Sequence, residues 1–254
     1  MVAGDQITKV VYSFLRRVLG VSKTTSNFGI LSETGKFPII LKAYIQIMKY
    51  WVRLLSTKNE YAQNTHLSNL QQWKNNKTSW IKIVDYLLIY TDMKQNINLG
   101  LIISKPNLFI KEFENKILLR YRNFWKYHTS SKRETKLNFY FKVKKNNYFE
   151  KYLDTLKKES REIVSKFRLS NHFLPIEKLR YQKIPREERI CPICDINEVG
   201  DEMHYLLKCK NKNMKLIRED FKKYITDLQS QFKYFDSENI IIYCMSRAIQ
   251  IYTK

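Results

Sequence analysis

The pair Cys191-Pro192-Ile193-Cys194 is followed by His204 after nine intervening residues and by Cys209 after four more. Three of the chain's four cysteines and one of its four histidines therefore share one short window. Two cysteines separated by two residues can wrap a single metal, because the backbone between them forms a tight turn whose amides face the sulfurs. Three thiolates and one imidazole suit tetrahedral zinc and leave no open position for water, so the expected role is structural, with Cys191, Cys194, His204 and Cys209 as ligands. The spacing also sets a local demand. His204 and Cys209 would diverge by roughly 140° on an uninterrupted α-helix, so the helix has to stop or distort before Cys209. Gly200-Asp201 offers a break and an N-cap, with Glu202 to Lys208 making about two turns after it.

The charge balance says what such a module would meet. The chain carries 46 Lys and Arg against 24 Asp and Glu, a net charge of +22, which attracts polyanions. Two basic clusters flank the ligands. Before them lie Lys166, Arg168, Lys178, Arg180, Lys183, Arg186 and Arg189 against three Glu. After or among them come Lys208, Lys210, Lys212, Lys215 and Arg218. Folding around a metal would gather both clusters toward phosphates, and His172 lies close enough to the module to join them. The expected partner is RNA or DNA, single-stranded or structured. A second basic stretch, Lys111 to Lys145, has eleven Lys and Arg against three Glu with aromatics interleaved. Stacking on unpaired bases is one use for such aromatics. Their spacing of four favours the core instead for Phe113, Tyr121 and Trp125.

Helices dominate the rest of the pattern. Glycine is scarce, at six, and no alternation runs long enough for a sheet. Ile7, Val10, Val11, Phe14, Leu15, Val18 and Leu19 form one stripe that Gly20 can close. Further helices are expected from Pro38 through Leu55, after a Ser79 cap through Leu88, and over Phe109–Trp125. Others follow through Phe149–Phe167, Leu216–Leu228 and Ile240–Tyr252. Segments 21–33, 97–105 and 170–189 read as loops, and Phe139–Val143 as a short strand or part of a helix. The expected fold is mainly α: an irregular helical bundle over 1–165, then a basic zinc-knuckle module with C-terminal helices over 166–254. No apolar run approaches the ~20 residues that span a bilayer, and the N-terminus lacks a secretory pattern. Clustered cysteines beside a histidine also suit a reducing compartment, so the expected location is intracellular, nuclear or cytoplasmic. Cys244 reads as a buried structural thiol.

Taken in order, Arg168, Asn171-His172, Leu174-Pro-Ile-Glu177, Arg180-Tyr181, Ile184-Pro-Arg186, Arg189-x-Cys191-x-x-Cys194, Gly200-Asp-Glu202-x-His204 and Cys209 resemble the region after the polymerase domain in non-LTR (LINE-type) retrotransposon reverse transcriptases. Phe14-Leu-Arg-Arg-Val-Leu-Gly-Val21, Thr25-Ser-Asn27, Glu33-Thr-Gly-Lys-Phe-Pro38 and Lys49-Tyr-Trp51 resemble the stretch joining that enzyme's thumb to its terminal knuckle. The resemblance implies that the knuckle and its flanks, Tyr181 among them, grip element RNA or target DNA. It also implies a parent polyprotein that is an RNA-directed DNA polymerase, or a separate reverse transcriptase polypeptide as partner.

The chain itself is expected to be noncatalytic. It contains no adjacent pair of aspartates, so the polymerase's metal-binding Asp-Asp motif is missing, and no nucleophile, base and orienting group can be named together. The competing expectation is a zinc-stabilised helical module that docks proteins and has no direct role with nucleic acid.

Overall fold

The structure, a computed structural model, describes residues 2–75, 80–96, 98–130, 136–228 and 244–245. Its helices in chain order are α1 (Val2–Leu19), α2 (Asn27–Glu33), α3 (Ile39–Ser56), α4 (Glu60–Lys74), α5 (Ile81–Tyr90), α6 (Leu99–Ser104) and α7 (Pro106–Ser130). They continue with α8 (Asn138–Val143), α9 (Tyr152–Thr155), α10 (Lys158–Arg168), α11 (Pro175–Tyr181) and α12 (Lys212–Leu228). The fold is mainly α as expected, and the only β pairing among the described residues is two isolated antiparallel bridges, Thr34–Phe149 and Ile190–Val199.

The chain forms two compact units. One is Phe37–His128; the other joins Met1–Lys36 to Thr129–Lys254. The divisions fall at 36/37 and 128/129, rather than near residue 165, because residues 15–31 and 137–169 share a core. In that core Leu15, Leu19, Ile30, Leu31, Tyr140, Tyr152 and Leu169 pack together. The unit Phe37–His128 has its own core, in which Met48, Trp51, Val84, Leu87, Phe113, Ile117 and Tyr121 meet. Burial of Phe113, Tyr121 and Trp125 follows the spacing of four along α7.

Three stretches expected to be loops contain short helices. Ser26 caps α2 by accepting from the Gly29 amide. Asn98 caps α6 by accepting from the Leu101 amide. Pro175 starts α11, where its missing N–H costs nothing. Each helix is too short to repeat an apolar period, which is why these stretches read as irregular. Phe139–Val143 resolves as helix α8. Other expectations fail by exposure: in α1, Leu15 and Leu19 are buried but Ile7, Val10 and Phe14 face solvent, and in α12 Leu216, Ile217 and Tyr224 are exposed while Ile225 is buried. Gly20 does close α1, with φ +65° and the Val21 amide reaching back to the Arg16 carbonyl at 3.0 Å. Ser79 and most of Ile240–Tyr252 lie outside the described residues. Cys244 is half-buried, and burial pushes its thiol up to about 11.

A buried ionic cluster ties the two chain segments of the larger unit together. Arg168 Nε donates to Glu33 Oε1 at 2.6 Å and Nη2 to Glu33 Oε2 at 3.2 Å, while Nη2 lies 3.2 Å from Glu150 Oε1. Lys144 pairs with Glu150. The Tyr152 hydroxyl donates to Glu33 Oε1 at 2.6 Å, and the Arg168 guanidinium lies 5.8 and 5.6 Å from the Tyr140 and Tyr152 rings. Two carboxylates and two cations balance, so desolvation of each is offset by partners inside the core.

Candidate metal centre

The four candidate ligands converge. The ligand atoms of Cys191, Cys194, His204 and Cys209 all lie within 4.8 Å of one another. Cys191 Sγ is 4.0 Å from Cys209 Sγ, and Cys194 Sγ is 3.4 Å from His204 Nε2. Tetrahedral bonds of about 2.3 Å to sulfur and 2.0–2.1 Å to nitrogen require separations of roughly 3.8 Å for S···S and 3.6 Å for S···N. The group therefore has the size needed to hold one ion.

Two local structures produce this convergence. The first is a tight hairpin, in which the Cys191 amide donates to the Glu198 carbonyl at 3.0 Å and the Gly200 amide to the Arg189 carbonyl at 2.8 Å. Asn197 turns it with φ 58°. A side chain at Gly200 would crowd the hairpin, since a Cβ would stand 2.9 Å from Pro175 Cγ and 3.2 Å from Cys191 Cα. The second is the turn His204–Lys208, which is π-helical. The Cys209 amide donates to the His204 carbonyl at 2.8 Å, a five-residue step that winds wider than an α-helix and brings residues five apart onto one side. The distortion that the spacing demands is this π turn. Asp201 caps its entrance, accepting from the His204 amide at 2.9 Å.

The surroundings favour a thiolate at Cys194 and hold the imidazole of His204. The Ile196 amide holds the Cys194 thiol down to about 7, with the Lys210 amide assisting. Burial pushes the Cys209 thiol up, opposed by the Asn211 amide, an effect that a bound cation would reverse. His204 Nδ1 lies 3.5 Å from Glu198 Oε2, leaving Nε2 for the ion in the carboxylate–histidine arrangement common at metal sites. The hydrogen bond to His204 in turn holds Glu198 below the usual carboxylate range. Tyr205 Oη sits 3.5 Å from Cys191 Sγ. From α12, Arg218 Nη1 donates to the Tyr205 carbonyl at 3.1 Å and Nη2 donates to the Cys209 carbonyl. Asn211 Nδ2 holds the Ile193 carbonyl at 3.1 Å. The sequence reading missed Glu198, Tyr205 and Asn211 as supports and took Arg218 for a phosphate contact. A carboxylate six residues before the histidine was the one visible hint.

The basic flanks divide into structural and surface groups. Arg168 is fully buried, spent on Glu33 and Glu150, so it cannot face a phosphate. His172 is also occupied: Nε2 lies 2.9 Å from Glu202 Oε1, and Nδ1 accepts from the Leu174 amide at 3.3 Å. Arg189 Nε donates to the Ile184 carbonyl at 2.9 Å and Nη1 to the Ile176 carbonyl at 3.1 Å, bracing the approach to the hairpin. Arg180 pairs with Glu177 at 3.0 Å and Arg186 with Asp201 at 3.2 Å. Lys208 is exposed despite Glu198 at 3.4 Å. Lys178, Tyr181, Lys183, Lys210, Lys212 and Lys215 also lie on the surface. The second basic stretch is split by the unit division at 128/129, and its Lys144 is buried.

No helix among the described residues is long and apolar enough to cross a membrane. No family model, curated protein or solved structure matches the chain.

Proposed function

We propose that this chain is a noncatalytic nucleic-acid-binding region, held in shape by one zinc ion and acting inside the cell on RNA or DNA, as the resemblance to non-LTR retrotransposon reverse transcriptases suggests. One observation carries the reading: four ligand atoms within 4.8 Å of one another, with exposed Lys208, Lys210 and Lys212 at the end of the turn that supplies two of those ligands. Zinc is favoured over other metals because three sulfurs and one imidazole form a closed tetrahedral set. The ion would have no open position, so its part is to fix the turn from which the lysines project.

The test is fluorescence anisotropy of the zinc-loaded chain with labelled oligonucleotides from 50 to 200 mM salt. Affinity should fall steeply as salt rises. The C191S/C194S variant should lose its metal and bind at least about tenfold more weakly. Unchanged affinity in metal-free variant protein would separate the metal centre from binding.

A second reading, protein docking, is favoured by exposed Ile7, Val10 and Phe14 along α1. Partners retained after nuclease digestion would support it, and partners lost on digestion would support nucleic-acid bridging.

A further inference from the structure

We infer that the outer face of α11 and its two ends form a platform for single-stranded nucleic acid, with Phe173 and Tyr181 stacking on unpaired bases and Lys178 and Lys183 meeting the backbone between and beyond them. This rests on the nucleic-acid reading above and narrows it to a substrate class.

Phe173 is 93% exposed, the highest value of any large hydrophobic residue among the described residues, and Tyr181 is 60% exposed. Neither ring sits on a loose segment. The backbone before Phe173 is pinned through His172, which Glu202 holds at 2.9 Å, and Glu202 also accepts from Ser170 Oγ at 2.8 Å. Immediately after it, Leu174 opens α11 and its amide donates back to His172. Tyr181 is steadied by its hydroxyl, 3.1 Å from Thr24 Oγ1. Lys136 Nζ lies over the Tyr181 ring at 5.8 Å, and the residue remains 60% exposed. Anchored backbones with open rings lose little freedom on stacking.

The helix α11 buries Ile176 and Glu177 and turns Lys178 and Tyr181 outward. Six helical steps from Pro175 to Tyr181 rise about 9 Å, about three nucleotides of a stacked strand at ~3.4 Å each, and Phe173 stands two residues ahead of the helix across the extended Leu174. A duplex keeps its base faces inside its own stack, so it can use only the lysines. A single strand can use the rings as well.

Lys183 adds an independent sign. It occupies the position just past the helix end with φ 60°, where the Ile184 amide reaches back to the Leu179 carbonyl at 3.2 Å and its own amide to Arg180 at 2.9 Å. Glycine is the favoured residue in that conformation. A lysine there gives up stability and keeps a cation at the platform's edge, the compromise expected of a functional position.

The test uses the full zinc-loaded chain and three labelled 20-nucleotide probes of one sequence: single-stranded RNA, single-stranded DNA and duplex DNA. For F173A/Y181A, affinity for the single strands should fall at least about tenfold, since stacking carries that much per base, while duplex affinity stays within about twofold. The RNA and DNA arms show which strand the platform prefers. K183G should raise Tm by about 2–4 °C yet bind every probe more weakly, with a salt slope reduced by about one. If F173A/Y181A, folded by circular dichroism, binds single strands like the parent while K210A/K212A weakens them, the platform is refuted and the broader reading survives. If the parent binds none of the probes at 50 mM salt, both fall.

Discussion

The buried cluster around Glu33 and Arg168 yields the sharpest stability prediction. With Glu33, Glu150, Arg168 and Lys144 all charged the cluster is neutral. Glu33→Gln leaves one excess positive charge in the core, and Arg168→Met leaves one excess negative charge. Glu33 and Arg168 are completely buried, so neither excess reaches water, and each single substitution should cost about 3–5 kcal/mol. That is a large share of the roughly 5–15 kcal/mol that holds a domain together. The double variant E33Q/R168M removes one charge of each sign and leaves Lys144 paired with Glu150. It should therefore be clearly more stable than the sum of the two losses implies, with a coupling energy of about 2 kcal/mol or more in a double-mutant cycle.

Amide exchange over residues 152–169 reads this directly. All four tryptophans lie in the other unit, Phe37–His128, so tryptophan fluorescence follows a different core and should not be used for the cycle. Acid provides a further check of sign. Burial pushes the Glu33 carboxyl up, but Arg168, Lys144 and the Tyr152 hydroxyl outweigh burial and hold it below its ordinary value. A carboxyl depressed on folding stabilises the protein above its unfolded value, near 4.5, and that contribution is lost as pH falls through the folded value. The gap between the parent and E33Q should be full near pH 7 and narrow below about pH 4.5. Single variants within ~1 kcal/mol of the parent, or a double variant equal to the sum of the singles, would refute the cluster as a coupled unit.

Three further outcomes test the metal centre and its supports. Purified chain should contain one metal ion, and chelation should expose residues 189–212 to protease and amide exchange, whereas retained protection without metal would show that the hairpin and π turn fold unaided. Glu198→Ala leaves all four ligands but frees the His204 ring, so metal affinity by competitive chelation should drop about 10- to 100-fold; an unchanged midpoint would remove Glu198 from the site. Gly200→Ala drives a Cβ against Pro175 Cγ at 2.9 Å and Cys191 Cα at 3.2 Å. It should destabilise the hairpin by about 1–3 kcal/mol and release metal at lower chelator concentration, and parental retention would mean that the backbone shifts freely there.

What the sequence discloses is divided by range. Chemistry and spacing are local, so the ligand set was readable, and so was the conflict between a five-residue step and an α-helix. Its resolution as a π turn was not, because a stop, a kink and a widened turn satisfy the same spacing. Short helices hide for a related reason: α2, α6 and α11 are each seven residues or fewer, and only Ser26, Asn98 and Pro175 marked their starts. Arg168 exposes the deeper limit. In the sequence it stands among basic residues and looks like one more phosphate contact, yet its main partner, Glu33, is 135 residues away. A composition count assigns all positive charges to the surface, while the fold withdraws Arg168 and Lys144 into the core and ties Arg189 and Arg218 to backbone carbonyls. The arginines near the centre thus serve the architecture. The cations left open around it are lysines, Lys178, Lys183, Lys208, Lys210, Lys212 and Lys215, which act as point charges on flexible stems. On the nucleic-acid reading proposed above, lysines of that kind would attract a backbone without reading base edges, and a preference among strands would come from the exposed rings of Phe173 and Tyr181.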